Sequence, residues 1–107
     1  MKTYNLSMMK NGWFVGSFSP NALCTNECEV AVKKYLKGDK EKKHFHKVAT
    51  EVTLILEGEV KMFDKLWSSG DILTIAPGEA TDFEAMTDSI TVVIKTPSLI
   101  DDKYYVD

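Results

Sequence analysis

The chain has 107 residues, 44% of them hydrophobic and 27% charged, proportions that place it among single globular domains and exclude both a disordered chain and a second independent core. Its net charge of −3 argues against a general nucleic-acid binder, because the surface as a whole repels phosphate backbones. No apolar run approaches the roughly 18 residues needed to span a bilayer, and the first residues lack the apolar segment of a signal peptide, so a cytoplasmic protein without membrane contact is expected.

Short β-rich runs separated by turn residues recur along the chain, and no helix-length amphipathic pattern is present, so an all-β fold is expected. Trp13 to Phe18 reads as a strand closed by Ser19-Pro20-Asn21. Cys24 and Cys28 are too few and too close for a disulfide framework and read as free thiols of a reducing compartment. Glu29 to Leu36 reads as a second strand ending at Gly38. The lysines at 33, 34, 37, 40, 42 and 43 alternate with Gly38, Asp39 and Glu41, and that stretch reads as a solvated loop.

His44-Phe45-His46 forms a third short strand, Lys47 to Thr50 a connection, and Val52 to Glu57 a fourth strand stopped by Gly58. Val60 to Phe63 and Leu66-Trp67 flank a tight turn at Asp64-Lys65. Ile72 to Ala76, Thr81 to Ala85 and Ile90 to Thr96 follow as strands. The acidic residues Glu79, Asp82 and Glu84 read as exposed carboxylates at a barrel mouth, and the tail from Asp101 to Asp107 as loosely ordered. About nine strands at a spacing of roughly eight to twelve residues fit a jelly roll of two sheets.

Val52 to Leu56 and Ile90 to Ile94 are apolar on both alternating faces, which requires cover outside the barrel as well as inside. A homodimer packing these outer faces across a two-fold axis is expected, the alternative being cover by residues 1–28 of the same chain.

The two histidines of the chain lie two apart, so on a strand both imidazoles point to one side. Glu51 follows five residues after His46 and would face away on an unbroken strand, so the chain must break between Lys47 and Thr50 to bring it back. Two imidazoles and one carboxylate with open positions can hold iron(II) or another divalent ion; the alternative is that the histidines pair with carboxylates or line a polar pocket.

Gly38, His44, His46, Glu51 and Gly58 are spaced as glycine, five residues, H-x-H, four residues, glutamate, six residues, glycine, and this resembles the first signature motif of the cupin superfamily. Gly70 and Ala76-Pro77-Gly78 resemble part of the second signature. Thr81 stands where that family has its third metal-binding histidine, and Ala85 where an asparagine is usual.

The resemblance runs from about residue 29 to 96 and implies one double-stranded β-helix domain, with residues 1–28 packing on the barrel or on a dimer partner. It implies a site of His44, His46 and Glu51 for a divalent metal (iron, nickel, manganese or zinc), no organic cofactor, and pocket walls from Tyr35, Phe45, Trp67, Thr81 and Phe83. Asp82 would replace the missing ligand only if a bulge turned it inward.

Three functions stay open. The first is a metal-dependent isomerase, lyase or dioxygenase acting on a small polar metabolite such as a sugar acid or related carbonyl compound. The second is a metal-free sugar or sugar-nucleotide isomerase or epimerase, with His46 or His44 as base and Glu51 orienting the ring. The third is a non-catalytic module that binds a small ligand.

Overall fold

The structure, a computed structural model, describes all 107 residues. After a short 3-10 turn at Leu6–Met8 come ten strands: β1 Trp13–Val15, β2 Glu29–Tyr35, β3 Lys40–Phe45, β4 Thr50–Glu57, β5 Glu59–Met62, β6 Lys65–Ser68, β7 Ile72–Ile75, β8 Thr81–Ala85, β9 Ser89–Thr96 and β10 Tyr104–Tyr105. They pair antiparallel into two five-stranded sheets, ordered β1-β2-β9-β4-β7 and β10-β3-β8-β5-β6. This is the all-β jelly-roll architecture expected from the strand spacing.

Period-two alternation decides what lies between the sheets. On β8, Thr81, Phe83 and Ala85 are buried while Asp82 is exposed. On β9, Ser89, Thr91 and Val93 are buried while Ile94 is exposed. Ile55, Val60, Met62, Leu73, Ile75, Phe83 and Ala85 come together as one apolar core. Gly58 sits at φ +89°, and a Cβ there would collide with the Asp88 carbonyl and the Ser89 side chain, so the bend between β4 and β5 needs glycine on two counts.

Several elements differ from the sequence reading. The first strand stops at Val15, because Gly16 takes φ +152° and the Phe18 ring folds back into the space a side chain there would use. The lysine-rich stretch is not one loop: past Lys33 and Lys34, which lie on β2 within the expected strand, Lys40, Lys42 and Lys43 lie on β3. Strand pairing there overrides a composition that suits solvent. The β5–β6 hairpin turns one residue earlier than expected, at Phe63-Asp64, with φ 52° and 57°, the two left-handed residues that a two-residue hairpin requires. Cys24 is exposed, Cys28 half-buried, and no disulfide joins them.

The tail is part of the fold. β10 pairs with β3, Tyr104 opposite Phe45 and Tyr105 opposite His44. Asp102 is buried and accepts hydrogen bonds from the backbone N–H groups of Lys47 at 3.0 Å, Val48 at 3.2 Å and Ala49 at 2.9 Å. Burial alone would raise its pKa, but the three donors outweigh that and hold its carboxyl below the usual range. The loop between β3 and β4 therefore has its free donors satisfied by a residue more than 50 positions away.

The outer face of the β1-β2-β9-β4-β7 sheet is aliphatic. Val32, Val92, Leu54 and Ile72 form one cross-strand row, and Val30, Ile94 and Val52 the next. None of the seven is buried. β1 extends the edge of this sheet beside β2.

Asp102→Ala should lower the unfolding free energy by about 3 kcal/mol, because three backbone donors lose a charged acceptor. Asp102→Asn should cost less, since its one carbonyl oxygen still accepts. Urea unfolding of the two variants checks this order; an alanine variant as stable as the parent would show that the tail does not hold the loop.

Candidate functional site

At one end of the barrel the inward-facing residues turn polar. In register across β2, β9 and β4 stand Glu29, Lys95 and Glu51, and two residues further into β2 and β4 come Ala31 and Thr53. The facing sheet supplies Glu41, His44 and Thr81. Glu41 and His44 are three apart and would face opposite ways on a regular strand. A register shift between them in the β3–β8 pairing turns both inward. His46 lies one residue beyond the end of β3 and is buried.

Glu51 reaches the histidines by a different route from the one expected. The chain does not kink and return to the same strand face: between Phe45 and Thr50 it crosses from one sheet to the other, so Glu51 approaches from the opposite wall. His44, His46, Glu51, Thr81, Tyr35 and Phe83 all line one cavity of about 80 Å³. Pockets that enclose drug-sized ligands measure about 300–1,000 Å³, so only a ligand of a few non-hydrogen atoms fits inside, and a nucleotide would stand mostly outside.

Two expected wall residues lie elsewhere. Phe45 points away from the cavity, as its place between two inward histidines dictates, and stacks on Tyr104 with ring centres 5.6 Å apart. Trp67 packs against the apolar core from β6, and its indole N–H donates to the Met62 carbonyl at 2.9 Å.

The cavity also holds residues that sequence patterns did not single out. Lys33 pairs with Glu41 at 3.1 Å and Lys95 with Glu29 at 3.1 Å, and Ser98 Oγ donates to the second Glu29 oxygen at 2.8 Å. The Lys95 ammonium lies 4.8 Å from the centre of the Trp13 ring, close enough for a cation–π contact. A signal was present: Lys95 continues the inward series Thr91, Val93, and Lys33 sits between Ala31 and Tyr35 on the same face of β2.

The histidine rings lie 5.5 Å apart, centre to centre, and cross at 82°. His44 Nδ1 is 2.9 Å from the Lys42 carbonyl, which can only accept, so the proton is on Nδ1 and Nε2 is left as an acceptor. Burial, the Lys95 ammonium and His44 together lower the His46 pKa to about 4, so its ring is neutral at physiological pH. Burial pushes the Tyr35 phenol well above its ordinary value, with Glu41 and Glu51 adding to the effect, so it remains a donor. Thr53 Oγ1 donates to Glu51 Oε2 at 2.9 Å.

The donor set does not fit a resident metal ion. No group of three or more His, Cys, Asp or Glu side chains is arranged to hold one. Thr81 offers nothing in place of the missing ligand, because its hydroxyl accepts from Phe63 N at 2.8 Å and donates to Asp82 O at 2.7 Å. Asp82 is on the exposed parity of β8. Lys95 adds a fixed positive charge between Glu29 and Glu51, where a divalent cation would be repelled. Thr91 Oγ1, by contrast, is buried on the cavity wall beside the Tyr35 hydroxyl, with no hydrogen bond of good geometry.

No family model matches the sequence, and no curated protein matches it. Among solved structures the chain is similar to a conserved protein with a double-stranded β-helix domain from Klebsiella pneumoniae, at 19% identity and TM-score 0.71, covering 77% of this chain and 72% of that one. It is also similar to the pirin YhhW of Escherichia coli, solved in complex with nickel(II), at 16% identity and TM-score 0.69, covering 82% of this chain and 39% of that one. A third is a sugar phosphate isomerase from a cupin superfamily from Silicibacter pomeroyi, at 20% identity and TM-score 0.65, covering 76% of this chain and 57% of that one. Likeness at such identities is likeness of fold. The chain has the double-stranded β-helix barrel fold.

The neutrality of His46 makes stability depend on pH. In the unfolded chain it takes up a proton near pH 6.5, whereas in the folded chain it resists protonation until about 4. Between those values the unfolded state binds more protons, so this contribution is complete above 6.5 and is lost as the pH falls to 4. Thermal unfolding from pH 7 to 4 should show a fall in Tm that is shallower in His46→Asn. Parallel curves for the two proteins would show that His46 is not held neutral.

Proposed function

We propose that this chain binds a small polar metabolite, of the sugar-acid or related carbonyl class, inside the barrel without a resident metal. The supporting observation is Thr91 Oγ1, buried on the cavity wall with only the Tyr35 hydroxyl beside it and no hydrogen bond of good geometry. A buried hydroxyl without a partner costs about 1–3 kcal/mol, and a ligand oxygen that bonds to it recovers that cost. Lys33 and Lys95 on the cavity wall are already matched by Glu41 and Glu29. Paired charges suit a hydroxylated or carbonyl ligand that hydrogen-bonds, and the small volume admits only its polar head of a few heavy atoms, the rest standing outside the cavity. The similar fold of a sugar phosphate isomerase fits the same ligand class.

Reversible binding is favoured over catalysis with His46 as the base. A base whose conjugate acid has a pKa of about 4 draws a proton from a carbon next to a carbonyl with little driving force. The metal-dependent version, with iron, nickel, manganese or zinc on His44, His46 and Glu51, would need Lys95 to move away from these donors. Tag-free protein should carry metal well below one equivalent; near-stoichiometric metal that disappears in a His44→Ala, His46→Ala double variant would reverse this reading.

Thr91→Val separates a binding role from a merely tolerated defect. Calorimetric titration with gluconate, glucuronate and pyruvate should identify a ligand whose affinity falls about tenfold in the variant, the loss of one good hydrogen bond. The same substitution should raise Tm, because it removes an unpaired buried hydroxyl. A gain in Tm with unchanged ligand affinity would overturn the proposal.

We propose also that two copies pack through the aliphatic outer sheet face. At about 4.8 Å between strands and 3.3 Å per residue, the two rows on four strands present roughly 250 Å² of contiguous aliphatic surface in projection. The face carries no charge in its two central rows, so it is its own complement and a second copy is the occupant it fits. Sedimentation at micromolar concentration should give twice the chain mass, and Val92→Lys should give a folded monomer. A parent protein that sediments as a monomer would rule the dimer out.

A further inference from the structure

Outside the cavity, and continuous with it through Trp13, Lys33 and Lys95, lies a wider groove of about 390 Å³. Four lysines line it: Lys10 just before β1, Lys33 on β2, Lys95 on β9 and Lys103 just before β10. Its one carboxylate is Glu29. A chain with a net charge of −3 thus places four of its thirteen lysines at one opening, where low-dielectric walls focus the field on an incoming anion.

The four lysines are not equivalent. Lys33 and Lys95 are neutralised by Glu41 and Glu29. Lys10 and Lys103 take part in no ion pair. Two free ammonium groups match the charge of about −2 that a phosphate monoester carries at neutral pH. The chain contains no arginine, so an anion here is held by lysine point charges, whose strength grows with the charge of the ligand. Trp13 and Phe18 supply an aromatic wall beside these charges.

We infer that the groove is a phosphate subsite, and that the ligand of the barrel is a phosphorylated small polar compound whose polar head enters the cavity while its phosphate stays between Lys10 and Lys103. The inference rests on the binding role proposed for the cavity and names the class of ligand more closely.

Nuclear magnetic resonance titration with inorganic phosphate at low salt tests the subsite without the cavity. Saturable shifts should appear at the Trp13 indole and at the backbone of Lys10, Asn11 and Lys103, and fade in 0.5 M sodium chloride, as a screening length of about 4 Å at that ionic strength requires. Shifts confined to chloride-insensitive positions, or none at all, would overturn the inference. Calorimetry with gluconate and 6-phosphogluconate then separates the subsite from the cavity. The phosphorylated compound should bind about tenfold or more tightly, and Lys10→Gln, which touches only the groove, should erase most of that advantage and leave gluconate unaffected. Equal affinity for the two compounds would sink the phosphate subsite while leaving the cavity reading in place. A 6-phosphogluconate affinity indifferent to Thr91→Val would sink the cavity reading while leaving the subsite.

Discussion

A lysine ammonium held inside a β-barrel, bonded to one carboxylate and flanked by another, is the constraint around which this site is built. Lys95 faces inward because β9 alternates Thr91, Val93, Lys95 toward the lumen, and its register puts Glu29 on one side and Glu51 on the other. A buried charge without a partner would cost several kcal/mol. Lys95 is half-buried, and the 3.1 Å bond to Glu29, itself fixed by Ser98, offsets the cost of drawing its charge partly out of water. The same ammonium helps to keep His46 neutral and occupies the electrostatic niche that a divalent cation would need.

The apolar core and the polar mouth divide the barrel between them. Ile55, Val60, Met62, Leu73, Ile75, Phe83 and Ala85 supply the burial that holds the sheets together. This frees the residues nearer the opening to be charged, provided that their charges are paired. Residue 102 extends the logic to the loop that carries His46: a single carboxylate satisfies three backbone donors at the crossing between sheets. The C-terminal segment then pairs along β3 and brings Lys103 to the cavity opening.

The fold was legible because strand alternation and turn residues are local. Thr81 to Ala85 shows its inward and outward residues in a five-residue span, and the glycines at 38, 58 and 70 mark bends that tolerate little else. The errors also have local causes. Lysine content suggested a loop over residues that strand pairing holds in β3, and the tail lacks apolar periodicity because a buried aspartate anchors it. The β5–β6 turn was misplaced by one residue because Phe63 is a poor predictor of left-handed backbone.

The sequence by itself determined that the chain is one all-β barrel and that His44 and His46 share a side of a strand, since both follow from spacing alone. Only the tertiary structure decided what surrounds them. Glu51 comes from the opposite sheet, Glu41 turns inward at a bulge, Phe45 and Trp67 leave the cavity, and Lys33 and Lys95 join it. The physical reason is that a strand's own pattern fixes which residues share a face, whereas the charge, volume and hydrogen bonding of an enclosed space depend on which faces of distant strands are brought together.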